Sequence, residues 1–561
     1  MNDPAPARPI SPAIPPQPAT AAATPSASVI PPTETSDREA AERSAVSSAA
    51  STGIPYFDTR SSDEAESVAD KLNLDVLRQY QVAPLHRYNE NSIELGLTSQ
   101  TDRTKLPELQ ATLPGVQLTF KTISDPGYNH ILNLIYYRMF QGERDGNFSM
   151  FGEKLAVAAP KRAFQYIAQL AYWLGASDIH IEPQSDAARI RFRLDGVLHS
   201  ITTVKLDSYK IFLSDLQTRA EIKWGSDQPQ SGRISYNLMS HQATVVTISM
   251  RIETIPTFHG EEIVVRLFNS EARNLHLETM GFTEEQIKRL SQVTAHPNGM
   301  VLTVGPTGSG KTSTLYALIN HLNSSEVKII TLEDPIEYDL PGISQVPVHT
   351  EDKQSFAEKL RAVMREDPNV VMIGEIRDID TAKTALQAAL TGHLVLSTFH
   401  ATNAAAAISR MLDMIGQNPL FASAVRLIVA QRLARRICTH CMAESPATKE
   451  QLDFIAAALK DIPEARRPQV DVGAKSSLQL KHGSGCAVCH GLGYQGRIAI
   501  IEMLPITPDI EKLMTAPTKT TAQDLQAMAV KDGMATLLED GLIKALAGIT
   551  TIDEIMSLTV V

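Results

Sequence analysis

The sequence predicts an α/β chain whose C-terminal half is a mostly parallel sheet with crossover helices, preceded by two smaller α/β units. Three observations predict it. From Gly281 onward, short apolar runs (Met300–Val304, Lys328–Leu332, Val370–Ile373, Leu394–Ser397) alternate with helical stretches, as buried strands joined by crossovers do. The first of these runs leads directly into a glycine-rich loop and a helix. Upstream, strand-like alternation recurs in two shorter blocks, and 561 residues are too many for one core.

Taken in order, residues 1–55 are rich in Ala, Pro, Ser and Thr, with ten prolines before residue 36. So little apolar surface cannot offset the entropy of ordering, and the segment is expected to be a disordered tail. Residues 56–145 read as a small α/β unit. Its Ser62–Tyr80 run has helical spacing at Val68, Leu72, Val76 and Leu77, and Ser92–Leu97 and Val116–Phe120 alternate like strands. Asp125–Phe140 reads as a helix and Gly142–Gly146 as a linker. Residues 150–275 open with a helix (Ala163–Leu174) and continue as strands at Ile179–Glu182, Arg189–Asp195, Ala243–Ile252 and Glu262–Leu267. The remainder, 281–561, is the parallel-sheet domain.

Composition is that of a globular protein, 43% hydrophobic and 20% charged. A net charge of −11 argues against a general nucleic-acid binder. No stretch approaches eighteen uninterrupted apolar residues, and the N-terminus lacks the charged-then-apolar order of a secretory signal, so a cytosolic location is expected.

Gly305-Pro306-Thr307-Gly308-Ser309-Gly310-Lys311-Thr312 follows an apolar strand and precedes a helix beginning at Ser313, the context a phosphate-binding loop requires. Glycines let backbone amides turn inward on the phosphates, and the helix N-terminus adds partial positive charge. Lys311 is expected to reach the β- and γ-phosphates of ATP and Thr312 to ligate Mg2+. Hydrolysis also needs carboxylates. Glu375 stands at the C-terminal end of Val370–Ile373, beside this loop. Glu333-Asp334-Pro335-Ile336-Glu337 follows Ile329–Leu332, and Pro335 forbids a continuing central strand, so these acids are expected in a loop at the same edge. His393 and His400 bracket the Leu394–Ser397 strand and read either as γ-phosphate reporters or as structural groups.

All four cysteines fall in two C-x-x-C pairs, Cys438/Cys441 and Cys486/Cys489, 44 residues apart. In a reducing cytosol such pairs read as one tetrahedral zinc site before they read as disulfides, and four protein ligands make that site structural.

These motifs, in this order, resemble the secretion and pilus-assembly ATPase family. Gly305–Thr312, Glu333–Glu337, Gly374-Glu375-Ile376-Arg377-Asp378 and Thr391-Gly392-His393 through His400 carry the resemblance. It extends upstream through Ser177–Pro183, Arg191–Gly196 and His259-Gly260-Glu261, and downstream through Gln431-Arg432-Leu433 and Gly493–Arg497. The chain has Pro368-Asn369 where the family commonly has Pro-Asp, and Ala401-Thr402-Asn403 where Thr-Asn-Asp is usual. The resemblance implies a RecA-like ATPase domain preceded by a smaller PAS-like α/β domain, a four-cysteine zinc insert at about 436–500, C-terminal helices over 505–561, and an N-terminal docking domain. It implies a catalytic glutamate at Glu337, with Glu333 as the alternative, and Glu375 in the magnesium shell. It also implies γ-phosphate arginines at Arg251 and Arg266, and intersubunit contacts at Arg361 and Arg365.

By the same resemblance the chain is expected to be a homohexameric motor, peripheral to the inner membrane. It would dock on a platform protein and a cytoplasmic or inner-membrane assembly protein of a type IV pilus or type II secretion complex. Residues 62–140, best at Gln81–Leu85, resemble the domain that makes such a contact. Cyclic di-GMP, which some relatives bind through Arg-Leu-Gly motifs, is not expected, because the chain has no Arg-Leu-Gly. A retraction motor is the nearest rival reading and a DNA translocase a more distant one. Retraction motors generally lack both the cysteine insert and the N-terminal domain.

Overall fold

The structure, a computed structural model, describes residues 32–59, 74–139 and 160–559 apart from short breaks at 90, 224, 241–244, 269–274, 338, 349–355, 417, 474–476 and 517–519, plus four residues between 148 and 155. They form two compact units that divide between Tyr136 and Tyr137.

In the first unit, Pro32–Thr52 is a helix, where composition led us to expect disorder as far as residue 55. The dense run of prolines ends at Pro32, which occupies the first helical position, where its missing N–H costs nothing. Beyond it, half of residues 33–52 are Ala, Glu or Arg, strong helix formers. Tertiary contacts complete the case: Ala45 and Ala49 are buried, and Glu42 accepts hydrogen bonds from Tyr56 Oη at 2.7 Å and Ser124 Oγ at 2.8 Å. Strands β1 (Val82–Asn89), β2 (Ser92–Leu97) and β3 (Gln117–Thr122) form a sheet in that order, and Asp125–Met139 is a helix. The run expected as a helix from Ser62 is helical at Leu74–Gln79; residues 62–73 and the linker at 142–146 lie outside the described residues.

The second unit begins with the helix Pro160–Trp173 and a six-stranded antiparallel sheet. The strands are β4 (Asp178–Pro183), β5 (Ala187–Leu194), β6 (Val197–Lys205), β7 (Gln230–Met239), β8 (Val245–Thr257) and β9 (Gly260–Phe268), in the order β6-β5-β4-β9-β8-β7. A second helix, Leu206–Arg219, leads from β6 toward β7. Sequence pattern missed β6 and β7, the two edge strands, because their polar residues weaken the period-two signal.

A seven-stranded sheet follows, ordered β12-β11-β13-β14-β10-β15-β18. Its members are β10 (Gly299–Val304), β11 (Ile329–Glu333), β12 (Ser344–Pro347), β13 (Val370–Ile373), β14 (Leu394–Phe399), β15 (Val425–Ile437) and β18 (Tyr494–Pro505). All neighbours are parallel except β18, which pairs antiparallel with β15. Between those two strands the chain makes a small ribbon, β16 (Met442–Pro446) with β17 (Gln479–Gly483), and the helix Lys449–Asp461. The four-cysteine insert is thus an elaboration of one long antiparallel hairpin.

The central strands read as apolar runs because they are covered on both faces. Met300, Leu302 and Val304 pack with Ala385, Ala389 and Ile408, while Val301 packs with Leu315, Leu318 and Ile319 of the opposite layer. Each fully buried Val, Leu, Ile or Met side chain contributes about 1.5–3 kcal/mol. The helices are aimed by caps: Asp378 accepts from Thr381 N at 2.8 Å and Asn403 from Ala406 N at 2.7 Å. Glu502, inside β18, accepts from the amides of both Ala404 (2.9 Å) and Leu537 (3.2 Å), so one buried carboxylate meets two helix N-termini. Among the described residues no helix is long and apolar enough to cross a membrane.

Candidate active site

In a parallel sheet, every strand's C-terminal end lies at one edge, and that edge gathers the chemistry. β10 ends at Val304 and the chain turns through Gly305–Gly310 into the helix Lys311–Leu322. Two glycines are required by space. A Cβ on Gly305 would lie 2.5 Å from the Gln431 carbonyl, and Gly310 sits at φ 83° with a would-be Cβ 2.8 Å from Gln431 Nε2. Gln431, on β15, also accepts from Thr314 Oγ1 at 2.6 Å. It therefore braces both the loop and the first turn of the helix, a role that its place in Gln431-Arg432-Leu433 did not reveal.

Lys311 Nζ donates to the carbonyls of Gly305 (3.0 Å) and Pro306 (2.9 Å). Burial pulls its pKa down, and the Glu375 carboxylate opposes that shift. The ammonium thus rests on its own loop, within the field of the carboxylate at the end of the next strand but one. Ser309 Oγ is buried with no hydrogen-bond partner among the described residues. Thr312 and Ser313 follow Lys311 in the first turn, neither of them buried.

Glu375 follows β13, paired with Arg377, and its Oε2 lies 3.6 Å from His400 Nε2. His400 follows β14 and so belongs to the site's edge. His393 does not. It precedes β14, at the opposite edge, where its Nδ1 lies 3.1 Å from the Ala388 carbonyl and its own carbonyl accepts from Gly299 N. It finishes the helix Ile379–Leu390, and the γ-phosphate reading of this residue is corrected to a structural one. The error is one of polarity: residues bracketing a strand lie on opposite edges of the sheet.

The acidic box divides into two environments. Glu333 was expected in a loop but is the last residue of β11, only 2% exposed. It accepts hydrogen bonds from Tyr316 Oη, Thr331 Oγ1 and Gln345 Nε2, the last at 3.0 Å. Tyr316, on the phosphate-loop helix, also accepts from Glu337 N at 3.4 Å. Burial and the Glu333 and Glu337 carboxylates push the Tyr316 hydroxyl's pKa up, so it stays a donor. Sequence offered no sign of this, since Tyr316 falls in an apolar helical run. Glu337 differs: its carboxylate has no hydrogen bond from the described residues. Burial and the neighbouring Glu333 charge raise its pKa, and Arg266 lowers it.

Arg266 reaches this region from the preceding sheet. Strand register explains how. Arg193 faces Asp178, Asp178 faces Arg266, Arg266 faces Arg251 and Arg251 faces Arg233 across successive strands β5, β4, β9, β8 and β7. The result is one row of four arginines and an aspartate on a single sheet face. Like charges side by side repel, and acids hold them: Asp178 lies 3.0 Å from Arg266 and 3.3 Å from Arg193, and Glu253 lies 2.5 Å from Arg251. The two domains also touch where Gly496 N donates to Asp195 Oδ2 at 2.9 Å. Arg361 and Arg365 lie on the helix Phe356–Val363 and the turn after it, one Arg365 nitrogen bonding the Arg361 carbonyl at 3.0 Å.

Past the C-terminal end of β15, Cys438, Cys441, Cys486 and Cys489 bring their sulfurs within 4.8 Å of one another, a group able to hold a metal ion. Burial works against ionising Cys489, but the Cys486 and Gly493 amides, each 3.2 Å from its sulfur, bring its pKa to about 7.

The sequence pattern of the family described as Type II/IV secretion system protein matches residues 157–557. Among curated proteins, the type IV pilus assembly ATPase PilB of Thermus thermophilus is 32% identical over 91% of this chain, which spans 56% of that relative's length. The protein of the same name from Pseudomonas aeruginosa is 32% identical over 90% of this chain and 89% of its own. The type II secretion system ATPase E of Vibrio cholerae is 38% identical over 69% of this chain and 72% of its own. Among solved structures, the ATPase DotB of Yersinia pseudotuberculosis superposes with a TM-score of 0.52, covering 72% of this chain and 95% of its own at 20% identity, a likeness of fold.

Proposed function

The chain belongs to the Type II/IV secretion system protein family, and we propose that it is a homohexameric motor whose ATP hydrolysis drives assembly of pilins or pseudopilins. Membership makes it an ATPase of the secretion and pilus-assembly class. The observation that carries the motor reading is convergence: the phosphate loop, Glu375, His400 and Glu337 share one sheet edge, and Arg266 of the preceding domain acts on Glu337. Lys311 would hold the β- and γ-phosphates, while Thr312 and Glu375 would hold the magnesium ion that ATP brings. Glu337 would orient and deprotonate the attacking water, the role to which its unbonded, raised-pKa carboxylate is suited. Glu333, with three donors on it, would anchor the loop.

Arg251 and Arg266 would couple chemistry to motion, since a guanidinium on the γ-phosphate exists with ATP and is lost after phosphate leaves. Replacing either by alanine is expected to keep ATP binding and lower hydrolysis by about a hundredfold or more. Activity of the unaltered protein should rise steeply with concentration as the ring closes. An ATPase independent of concentration, and monomeric by light scattering with ATP, would defeat the ring and leave the enzyme. The cytoplasmic location, the platform and assembly partners, and the docking role of the N-terminal unit follow from the same reading.

The four cysteines would hold structural zinc. A tetrahedral ion about 2.3 Å from each sulfur needs neighbouring sulfurs about 3.8 Å apart, and three sulfur pairs lie at 3.7–3.9 Å. Elemental analysis of protein purified without chelator should find about one zinc per chain. Cys438→Ser should lower the melting temperature and release the ion, with ATP hydrolysis at low temperature largely kept. Metal-free protein of full stability would exclude the site.

A further inference from the structure

β18 carries one charge in the middle of an apolar run. Between Ile498 and Leu504 every residue but Glu502 is apolar, and Glu502 is 2% exposed. A carboxylate taken out of water at such a place is costly unless donors meet it. Two do, one on each oxygen: Ala404 N at 2.9 Å from Oε1 and Leu537 N at 3.2 Å from Oε2. Each amide opens a helix, Ala404–Ile415 in one case and Leu537–Leu546 in the other, and a helix N-terminus favours an anion.

The Ala404 end bears on the nucleotide edge. β14 stops at Phe399, and residues 400–403 alone separate it from the helix that Glu502 meets. The sheet fixes the strand end and Glu502 fixes the helix start. A segment this short between two fixed ends has few conformations, so the helix start decides where His400 sits. The helix also reaches back. Its Arg410 donates to the His400 carbonyl, and the same guanidinium lies 5.8 Å from the centre of the Phe399 ring. The His400 imidazole is held 3.6 Å from Glu375 Oε2, its one polar partner among the described residues. Strand pairing brings the anchor beside the phosphate loop as well. Glu502 is opposite Ala430 on β15, and the next residue, Gln431, is the one that braces that loop.

We propose that Glu502 is a positioning residue for ATP hydrolysis: by fixing the start of the Ala404–Ile415 helix it sets residues 400–403 and so holds His400 against Glu375. The inference rests on the ATPase reading of this edge, in which Glu375 belongs to the magnesium shell. Loss of Glu502 then slows the chemical step and spares nucleotide binding, which lies with the phosphate loop. A carboxylate that merely anchored two helices would act through stability alone, and through both helices alike.

Steady-state ATP hydrolysis by the full chain separates these roles, measured where the rate per chain no longer rises with protein concentration. Glu502→Leu removes both acceptors at similar volume. Its kcat should fall about tenfold with the KM for ATP kept within about twofold, since misplacing a group at the reacting centre costs rate before affinity. Glu502→Gln keeps the shape and one acceptor, so it should fold even where the leucine variant does not, and show a smaller loss of the same kind. His400→Ala should itself lower kcat. Adding either Glu502 change to it should cost less than about twofold more, because residues that act through one another are not additive. Thr536→Ala is the control. It removes the cap of the other helix, where Thr536 Oγ1 accepts from Glu539 N at 3.2 Å. It should lower the melting temperature and leave kcat unchanged. Additive losses in the double variants would overturn the proposal, as would an equal loss of kcat in Thr536→Ala. So would full kcat in His400→Ala or in the folded Glu502 variants. Each of these results leaves the ATPase reading intact, because that reading falls only if Lys311→Ala keeps its turnover.

Discussion

Lys311→Ala is expected to abolish ATP turnover, by about a hundredfold or more, while the protein folds as before. Its ammonium makes two hydrogen bonds to loop carbonyls, at 3.0 and 2.9 Å, and none to another element among the described residues. A phosphate entering the loop would take the ammonium over from those carbonyls. The charge would then meet γ-phosphate oxygens as negative charge develops on them, which no alanine can do. Core packing is untouched, since the helix is anchored by Leu315, Leu318 and Ile319. Circular dichroism and the melting temperature should match the unaltered protein, and nucleotide affinity should fall. A variant that hydrolyses ATP at the normal rate would remove the phosphate-loop assignment, and with it the motor.

How far this site could be read beforehand depended on whether local sequence carried the information. The phosphate loop is legible because its chemistry and its backbone conformation demand the same residues within eight positions. Glu375 is legible because an apolar run ends immediately before it. His393 and His400 show the limit of that logic: both flank one strand, and only its direction separates the edge that carries the glycine-rich loop from the edge that caps a helix. Tyr316 and Gln431 were opaque for another reason. Their partners lie 17 and 117 residues away, and nothing in a buried tyrosine or a strand glutamine announces a distant partner. Arg251 and Arg266 stood out only through family resemblance, although the register that aligns them with Asp178 is plain once the strands are paired. The Pro32–Thr52 helix was hidden by the prolines before it, which set the composition of the whole tail.

The two glutamates of the acidic box should separate under substitution. Glu337→Gln is expected to leave ATP binding nearly unchanged and to lower hydrolysis by about a hundredfold to ten-thousandfold, the loss typical of a missing general base. The change keeps shape and volume and removes only the charge. Glu333→Gln should act differently. An amide accepts at one atom only: its oxygen can keep Thr331 and Gln345, which share Oε1, while its –NH2 replaces the oxygen that accepts from Tyr316, so the loss is of anchoring, measured as a lower melting temperature. Acidity gives an independent check. Glu337 must be ionised to take a proton, and its pKa is raised by burial and by the charge of Glu333. Activity should therefore fall on the acid side at a higher pH than an exposed glutamate would dictate. Arg266 lowers that pKa, so in Arg266→Ala the residual activity should show its acid limb moved further toward neutrality. In Glu337→Gln the limb should vanish. A profile that keeps its acid limb in Glu337→Gln, together with normal turnover, would pass the catalytic role to Glu333 and make Glu337 a bystander at the mouth of the site.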